Sequence, residues 1–453
     1  MTKTKVKFVC QNCGTSYGKW AGRCDNCGQW NTLLEQIVSE TTTTAKTALE
    51  RGAISGKKLT TISVSKIIPE GAKSRLPTSF PELDSVLGGG ILPGSVALLA
   101  GQPGIGKSTL LMQIASHTSK NHNILYVSGE ESAGQIKLRA VRLGASSDKL
   151  HFASSTSGND IARTIEAGNY NFVIVDSIQT LSLAEISSAP GTVSQVSNCG
   201  NLIIRAAKAT NTAVMIVGHV TKDGQLAGPK ALEHLVDVVL NFEGDRYGGF
   251  KTVRAVKNRF GSTTEVAIFE MNEAGLAEVK NPSAALLAER QNTDGSIILS
   301  TIEGTRPILV EIQALVNPTN FGYPRRTASG FDLNRLNLLV AVLERRTKLK
   351  LGDKDIFINV VGGLRLSDAA ADLAVCMAIA SATAGRKLDD KLIVFGEVGL
   401  GGEIRSTTAP DRRIAEAKKL GFTGAIAPVT IKDKFALPAH DLRTALIKYM
   451  DKK

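Results

Sequence analysis

The chain lacks the features that mark membrane-embedded and secreted proteins. Its sequence holds no uninterrupted apolar stretch that approaches the roughly 20 residues of a transmembrane helix. Its basic first residues are not followed by the apolar core of a signal peptide. With no secretion signal, its 6 cysteines are expected to sit in a reducing compartment. We therefore expect a cytoplasmic protein that does not associate with membranes.

Acidic residues are also in short supply. The chain has 42 Asp and Glu against 54 Lys and Arg, which gives a formal net charge of +12. This balance favours a polyanionic partner, although a merely solvated basic surface is the alternative. The length of 453 residues predicts about two to three domains.

What the chain does contain is a complete phosphate-loop motif, around which the rest is organised. The motif fits G-x-x-x-x-G-K-[ST] at every fixed position. The apolar run 96–100 predicts a buried parallel strand before it, and residues 108–116 predict a helix after it. The loop would then lie at a helix N-terminus, which favours anions. The expected ATP-binding residues are Gly101, Gln102, Pro103, Gly104, Ile105, Gly106, Lys107, Ser108 and Thr109.

Two side chains of this loop carry the expected chemistry. Lys107 is expected to reach the β- and γ-phosphates, and the Ser108 hydroxyl is expected to ligate Mg²⁺. The structural alternative is a glycine-rich turn that happens to hold a lysine. The strand before the loop and the helix after it favour a nucleotide site.

Residues 76–280 predict an α/β domain with a mainly parallel sheet, because apolar strands alternate with amphipathic helices. Ligands of such sheets lie at the carboxyl ends of the strands. Asp176 ends the apolar run 172–175 and is expected to hold Mg²⁺, unless it only caps the next helix. Cys199 and, in the last domain, Cys376 stand alone on predicted helices as inert core thiols.

Three further polar residues follow predicted strands of this domain. Glu130 is the first candidate for the general base that activates water, and Glu131 is the second. His219 follows another strand and could sense the γ-phosphate, although a packed or capping histidine is nearly as reasonable.

The first segment, residues 1–36, carries two C-x2-C pairs, each followed by glycine. Four thiolates at this spacing predict a closed structural zinc site. Two disulfides or a redox pair are the alternatives. The predicted zinc ligands are Cys10, Cys13, Cys24 and Cys27.

Basic and aromatic residues interleave around these cysteines. Such residues could bind nucleic acid through phosphate contacts and stacking, or the aromatics could instead pack on the zinc site. They are Lys3, Lys5, Lys7, Lys19, Arg23, Tyr17, Trp20 and Trp30. Residues 37–75 then predict a polar linker that ends in a short strand at 61–68.

Several stretches of the central domain resemble the RecA-like ATPase core shared by RecA, KaiC and the DnaB helicases. They are 80–84, the triple glycine 88–90, the phosphate loop, 128–131 and the strand ending in Asp176. Together with the four cysteines, the stretch Lys257-Asn258-Arg259-Phe260-Gly261 is similar to a motif of the bacterial RadA (Sms) family. That resemblance covers nearly the whole chain.

In the RadA family this motif is implicated in ATP turnover and in action on DNA, which the resemblance carries onto Lys257 and Arg259. Independently of the family, two cations on a late strand suit a finger that acts across a subunit boundary and stabilises phosphate charge. A solvated basic turn is the alternative.

Residues 283–453 resemble the Lon protease domain, an α+β fold, in the stretches 362–364, 371–375 and 396–400. By the alignment the nucleophilic serine position falls at Ala370 and the lysine position at Arg413, so we expect an inactive peptidase fold. Ser367 and Lys418 are near but off register. Asp368-Ala369 replaces the family's Glu-Pro, which leaves the local turn open.

A basic surface for DNA is expected on this last domain, with a solvated face as the alternative. Its residues are Arg325, Arg326, Arg345, Arg346, Lys348 and Lys350.

The resemblance implies an ATP-driven DNA motor of recombination and repair that uses ATP, Mg²⁺ and Zn²⁺. Its implied partners are single-stranded and branched DNA, the RecA recombinase and further copies of itself in a hexameric ring. The residues alone predict an ATPase. An ATP-switched scaffold without motor activity is the first rival, and an ATP-dependent peptidase is the second.

Overall fold

A computed structural model describes residues 4–10, 15–30, 32–39, 63, 65, 75–219, 230–244, 249–319 and 322–450. Most of the predicted strand 61–68 and most of the expected linker lie outside the described residues, as does Cys13. Two compact units are present. The first holds Met1–Asn241 and Ala255–Gly261, and the second holds Phe242–Arg254 and Ser262–Lys453.

The first unit begins with a small antiparallel sheet, which we call the ribbon. Its strands are β1 (Thr4–Cys10), β2 (Ser16–Tyr17) and β3 (Leu33–Ser39), in the order β2-β1-β3. Cys10, Cys24 and Leu33 form its buried centre. So small a core supplies little folding energy, which is why a bound metal is expected to contribute to its stability.

The main sheet of the first unit has parallel strands in the order β4-β8-β7-β5-β6. These strands are β4 (Val96–Gly101), β5 (Ile124–Ser128), β6 (Leu150–Ser154), β7 (Phe172–Asp176) and β8 (Ala213–His219). β9 (Val238–Gly244) follows beside β4, and β10 (Lys251–Asn258) comes next in the chain. The chain passes between the two units within β9 and β10.

Helices connect these strands, as the alternating pattern predicted. They are α1 (Pro81–Val86), α2 (Lys107–Thr118), α3 (Ala133–Arg142), α4 (Gly158–Ala167), α5 (Val193–Thr210) and α6 (Lys230–Glu233). Val96 and Leu98 pack in one core cluster with side chains of α4 and α5. Their neighbours Ala97 and Leu99, which point the other way, are buried too. Both faces of β4 are therefore covered.

The second unit contains the antiparallel hairpin β11 (Val266–Asn272) and β12 (Gly275–Glu278), followed by α7 (Pro282–Leu287). Its larger sheet has the order β15-β16-β14-β13-β17-β20-β21. These strands are β13 (Ser296–Glu303), β14 (Arg306–Pro318), β15 (Arg326–Ser329), β16 (Lys354–Val360), β17 (Leu392–Val394), β20 (Gly424–Pro428) and β21 (Ala436–Ala439). A separate hairpin joins β18 (Glu397–Val398) to β19 (Ile404–Arg405).

The strand-like alternation in 295–316 is a hairpin rather than one strand. Its turn needs Gly304, because this residue has a φ of +65° and an added Cβ would lie 1.9 Å from the Thr264 carbonyl oxygen. The helices of this unit are α8 (Leu333–Thr347), α9 (Ala371–Ala384), α10 (Pro410–Lys419) and α11 (Leu442–Met450).

The fold class predicted from the sequence is confirmed: a cysteine ribbon, a RecA-like core with a parallel sheet, and a mixed α/β domain at the C-terminal end. The lone thiols are core residues, as expected. Burial raises the pKa of Cys199 to about 12 and raises that of Cys376 well above its ordinary value. In the part of the chain that the structure describes, no helix is long and apolar enough to cross a bilayer.

Candidate active site

The phosphate loop has the local geometry that its sequence predicts. It leaves the buried strand β4 and enters α2, whose N-cap is Gly106. Gly104 and Gly106 have φ values of +78° and +119°, a region that side chains with a Cβ disfavour. The loop backbone therefore turns at the start of α2, where unpaired N–H groups attract anions. The residues fit a bound triphosphate.

Lys107 is held inside this loop. Its Nζ donates to the carbonyl oxygens of Gly101 at 2.8 Å and Gln102 at 2.9 Å. The same Nζ lies 3.2 Å from Nδ1 of His219. Hydrogen bonds to carbonyls and to an imidazole are contacts that a phosphate oxygen can replace.

The parallel register aligns the carboxyl ends of four strands. Gly101 is paired with His219 across β4 and β8, and Ser128 is paired with Asp176 across β5 and β7. Polar residues that are far apart in the sequence therefore meet at one edge, as expected for a sheet of this kind. We call Gly101–Thr109 together with Glu130, Asp176 and His219 the phosphate edge.

Glu130 is connected to the lysine through His219. Its Oε1 lies 3.3 Å from His219 Nε2 and accepts a hydrogen bond from the Ser177 hydroxyl. These contacts, above all the one to His219, lower the pKa of Glu130 from 4.5 to about 2 although burial opposes the shift. Glu130 is thus a carboxylate at neutral pH.

Glu131 has a different environment. Its two carboxylate oxygens accept from both terminal nitrogens of Arg139, each at 2.5 Å. A bidentate pair of this kind occupies the acceptor positions that a base would need. The geometry therefore favours Glu130 over Glu131 as the candidate base, in the order proposed from the sequence.

Asp176 is buried at the end of β7. Its Oδ2 accepts from the Tyr126 hydroxyl at 2.6 Å. Burial and the Asp176 charge raise the pKa of Tyr126 well above its ordinary value, so the phenol remains a donor. The Asp176 carboxylate at this strand end and the Ser108 hydroxyl at the start of α2 are oxygen donors of the kind that Mg²⁺ prefers.

The sequence pattern did not reveal what His219 and Ser177 do here. His219 joins Lys107 to Glu130, and Gln179 contacts the His219 carbonyl oxygen at 3.4 Å. Ser177 directly follows the strand-ending aspartate, which is the one local signal that could have identified it. The bridging position of the histidine depends on strand pairing.

Lys257 and Arg259 lie at the opposite end of the parallel strands from the phosphate loop. The Arg259 guanidinium contacts Asp237 Oδ1 at 3.2 Å, and the backbone N–H of Val96 donates to Oδ2 of the same aspartate at 3.0 Å. Lys208 also pairs with Asp237, at 2.6 Å. Since Val96 begins β4 and the phosphate loop follows its end, these cations are separated from their own loop by the length of the strand.

Lys257 is bound to backbone carbonyls. Its Nζ donates to the carbonyl oxygens of Glu233 at 2.7 Å and Val236 at 2.8 Å. Burial and the nearby charge of Arg259 lower the pKa of Lys257. These contacts lie near the exposed Arg259, so the two cations form one group.

The triple glycine and the pentapeptide that contains Lys257 contact each other. The Asn258 amide donates to the Val86 carbonyl oxygen at 3.0 Å. Gly88 has a φ of +82°, and an added Cβ there would lie 2.8 Å from the Phe260 carbonyl oxygen. The two motifs that carry the family resemblance are therefore one structural element, which explains the need for glycine at position 88.

Ala370 and Arg413 occupy the positions where the resemblance to the Lon protease domain places a serine and a lysine. Ala370 is buried and caps α9, and Arg413 is fully buried. The Arg413 guanidinium donates to Asp368 Oδ2 at 2.7 Å and also to the Ser300 carbonyl oxygen. Ser367 is exposed, and Lys418 pairs with Asp433 at 2.9 Å. We call Ala370, Arg413 and Asp368 the closed site.

The ribbon brings its described cysteines together. The sulfur atoms of Cys10, Cys24 and Cys27 all lie within 4.8 Å of one another, and those of Cys10 and Cys27 are 3.6 Å apart. Thiolates around a tetrahedral zinc are separated by about 3.8 Å, given Zn–S bonds of about 2.3 Å. The donor set therefore fits zinc, with Cys13 outside the described residues.

The basic surface of the last domain is exposed as expected. Arg325, Arg345, Arg346, Lys348 and Lys350 are exposed, whereas Arg326 is half-buried. These exposed cations are available for contact with a polyanion.

Three family models match parts of the chain. An AAA domain model matches residues 69–225, and a rubredoxin metal binding domain model matches residues 8–35. A model of subunit ChlI of Mg-chelatase matches residues 337–431. They fit the core, the ribbon and the last domain in turn.

Curated relatives match almost the full length. DNA repair protein RadA of Bacillus subtilis is 47% identical over 440 residues, covering 97% of this chain and 95% of the relative. DNA repair protein RadA of Halalkalibacterium halodurans is 47% identical over 430 residues, covering 94% and 93%. A solved RadB recombinase aligns with a TM-score of 0.38 and 22% identity over 45% of this chain and 100% of its own.

Proposed function

This chain belongs to the RadA family of DNA repair proteins, and from that premise we propose that it is an ATP-driven DNA motor. In this proposal it hydrolyses ATP to extend or unwind recombination intermediates by branch migration, beside the RecA recombinase. The relatives are named for DNA repair. The motor activity, the ring and the partners are the proposed part.

The observation that carries the ATPase chemistry is the convergence of Lys107, His219 and Glu130 at the phosphate edge. Bound ATP supplies the γ-phosphoryl group. Lys107 then exchanges its carbonyl contacts for phosphate oxygens and offsets their charge. Ser108 and Asp176 are the proposed Mg²⁺ ligands. Glu130 orients the attacking water and accepts its proton.

The low pKa of Glu130 makes it a weak base while His219 and Ser177 remain hydrogen-bonded to it. In the proposed mechanism, binding at the phosphate edge draws His219 away from the carboxylate. The pKa of Glu130 then rises and its basicity increases, which ties hydrolysis to occupancy of the site.

The position of Lys257 and Arg259 supports the proposed ring. β4 runs from Val96 to Gly101, which at about 3.3 Å per residue separates its two ends by roughly 16 Å. The two cations contact residues at the starting end, and the phosphate loop lies at the other. They are therefore proposed to act on the nucleotide of a neighbouring copy.

Single-stranded and branched DNA are the proposed partners. The net charge of +12 and the exposed cations of the last domain suit a polyanion. The closed site argues against a peptidase, since Ala370 has no nucleophile and a guanidinium cannot act as a base. An ATP-switched scaffold remains the rival that a direct assay separates.

The test measures ATP hydrolysis with and without single-stranded DNA, together with displacement of a labelled strand from forked DNA of each tail polarity. A motor is expected to hydrolyse ATP faster with DNA and to displace strands only with hydrolysable ATP. DNA binding should weaken steeply as salt rises. ATP binding without DNA-stimulated turnover or strand displacement would instead support the scaffold.

A further inference from the structure

The only tryptophans of the chain lie together on the ribbon. The sequence contains 2, and both Trp20 and Trp30 are described. Their residues are 60% and 68% exposed. Tryptophan is highly buried on average, so two exposed indoles in so small a module indicate a contact surface.

The two indoles form one continuous surface. A Cβ built on Gly22 would lie 3.8 Å from Cη2 of Trp20 and 3.8 Å from Cζ3 of Trp30. Both rings therefore border the same small residue, with no side chain between them there. Tyr17 behaves differently, because its hydroxyl lies 3.3 Å from Cys24 Sγ and its ring packs on the cysteine cluster.

A positioned cation completes this surface. The Arg23 guanidinium donates from Nε to the Gly28 carbonyl oxygen at 2.9 Å and lies 5.9 Å from the centre of the Trp30 ring. Lys19 and Lys7 are exposed on the same ribbon. Asp25 is an exposed acidic residue there. We call Trp20, Trp30 and Arg23 the tryptophan patch.

Another part of the ribbon is already occupied. The Glu35 carbonyl oxygen on β3 accepts from the Ser194 hydroxyl at 3.2 Å and from the Asn198 amide at 3.0 Å, both on α5. Glu35 itself is 8% exposed. β3 thus attaches the ribbon to the core of the first unit. The tryptophan patch remains exposed to solvent.

We propose that the tryptophan patch is a stacking platform for the bases of single-stranded DNA. The indoles offer flat faces to unpaired bases, while Arg23 and the neighbouring lysines attract the phosphates. An acidic peptide would use the cations but leave the two indole faces without matching rings. This inference rests on the proposed function, since it assigns one of the DNA contacts to the ribbon.

Intrinsic fluorescence tests the proposal directly, because every tryptophan of the protein belongs to the patch. The full-length protein is titrated with an oligothymidylate of about 16 nucleotides. We expect its emission to be quenched, and a duplex of the same length to quench less because its bases are already paired. Binding is measured in parallel by anisotropy of a labelled oligonucleotide.

Trp30→Ala is expected to weaken binding between about fivefold and a hundredfold, the range for loss of one stacked base, while Trp30→Phe keeps most of the affinity. Leu138→Ala is the matched control, since Leu138 is 74% exposed on α3 and belongs to none of the proposed DNA contacts. It should leave both readouts unchanged. Zinc content equal to that of the wild type shows that each ribbon variant is folded.

The outcomes separate this inference from the proposed function. If the wild type binds the oligonucleotide without quenching and Trp30→Ala binds equally well, the inference is wrong and the proposed function stands. If no DNA binding occurs by any readout, both fail. If the alanine variant binds DNA normally but no longer binds the recombinase, the patch is a protein-docking surface and the inference is overturned.

Discussion

The phosphate edge and the closed site hold similar charged groups under opposite conditions. At the phosphate edge, the side chains of Glu130 and His219 are 44% and 28% exposed. At the closed site, the side chains of Arg413 and Asp368 are 0% and 13% exposed. A bound substrate can reach the first pair, whereas protein atoms already surround the second.

The contacts of the central cation also differ between the two sites. Lys107 is held by carbonyl oxygens and an imidazole, contacts worth about 0.5–1.5 kcal/mol each that a phosphate can replace. Arg413 is a fully buried cation held by the largely buried carboxylate of Asp368, and breaking a buried pair costs about 3–5 kcal/mol. A charged cluster whose contacts a substrate can replace is suited to catalysis. A charged cluster whose contacts cannot be replaced serves to stabilise the fold.

Lys107→Ala should produce the largest effect. Removing the cation that offsets phosphate charge should lower turnover by on the order of a thousandfold or more and weaken ATP binding. Steady-state hydrolysis and nucleotide titration measure the two effects. Lys120→Ala is the matched control, because this exposed lysine directly follows the end of the same helix. Near-normal turnover in Lys107→Ala would remove the basis for calling this edge catalytic.

Arg413→Ala should destabilise the second unit by about 3–5 kcal/mol, because Asp368 is left charged without its partner. Denaturant unfolding followed by circular dichroism measures the loss. The exposed neighbour Arg412 serves as the control, and Arg412→Ala should change stability by no more than about 0.5 kcal/mol.

Two results would contradict the structural role that we assign to the closed site. One is an Arg413→Ala protein as stable as the wild type. The other is covalent labelling of Ser367 by a serine-directed reagent. Such labelling would show a reactive serine near the closed site, where we expect no peptidase activity.

Lys257→Ala should leave ATP binding nearly intact and lower turnover by on the order of a hundredfold, since its proposed target is the neighbour's γ-phosphate. Mixing it with Lys107→Ala should restore part of the hydrolysis, because a mixed interface can pair two intact lysines. Turnover of the separate and mixed proteins is measured once oligomer exchange has been demonstrated.

Lys208→Ala is the control for a purely structural effect in this prediction. Lys208 pairs with Asp237, as Arg259 does, but lies on α5. Its replacement should lower stability more than turnover. If the mixture of Lys107→Ala and Lys257→Ala stays inactive while subunits exchange, Lys257 acts within its own chain.

Glu130→Gln should remove the proposed base and lower turnover, but its effect on stability is the smallest of the effects expected here. The pKa of Glu130 is lowered from 4.5 to about 2 on folding, so the carboxylate stabilises the chain above pH 4.5 and this contribution is lost as the pH falls toward 2. At pH 7 the variant should melt roughly one to three degrees lower than the wild type. Calorimetry should find a smaller difference near pH 4, and a constant one would contradict the shift.

The features found from the sequence are those that neighbouring residues determine. The phosphate loop needs its glycines, lysine and serine within one turn, and the cysteine pairs need two residues between ligands. α3 (Ala133–Arg142) likewise begins after a local signal, the N-cap Ser132. β6 and α4 were missed because β6 is only partly buried and its pattern is weak.

Contacts between distant residues could only be found in the tertiary structure. Nothing in the spacing of Lys107, Glu130 and His219 shows that the imidazole lies between the other two, because that depends on which strands are neighbours. The sequence also left open whether Trp20 and Trp30 pack on the zinc site, and their exposure decided it.

The chain's local order thus determined the chemistry available: a phosphate loop, a thiolate cluster, two strand-end carboxylates and a pair of late cations. The strand order decided where that chemistry lies, with Glu130 and His219 beside the loop and Lys257 and Arg259 at the opposite end of the parallel strands. The physical reason is that turn and helix-start preferences act over a few residues. Pairing and burial depend on hydrogen bonds and apolar contacts between segments that the sequence separates by more than a hundred positions, as with Lys107 and His219.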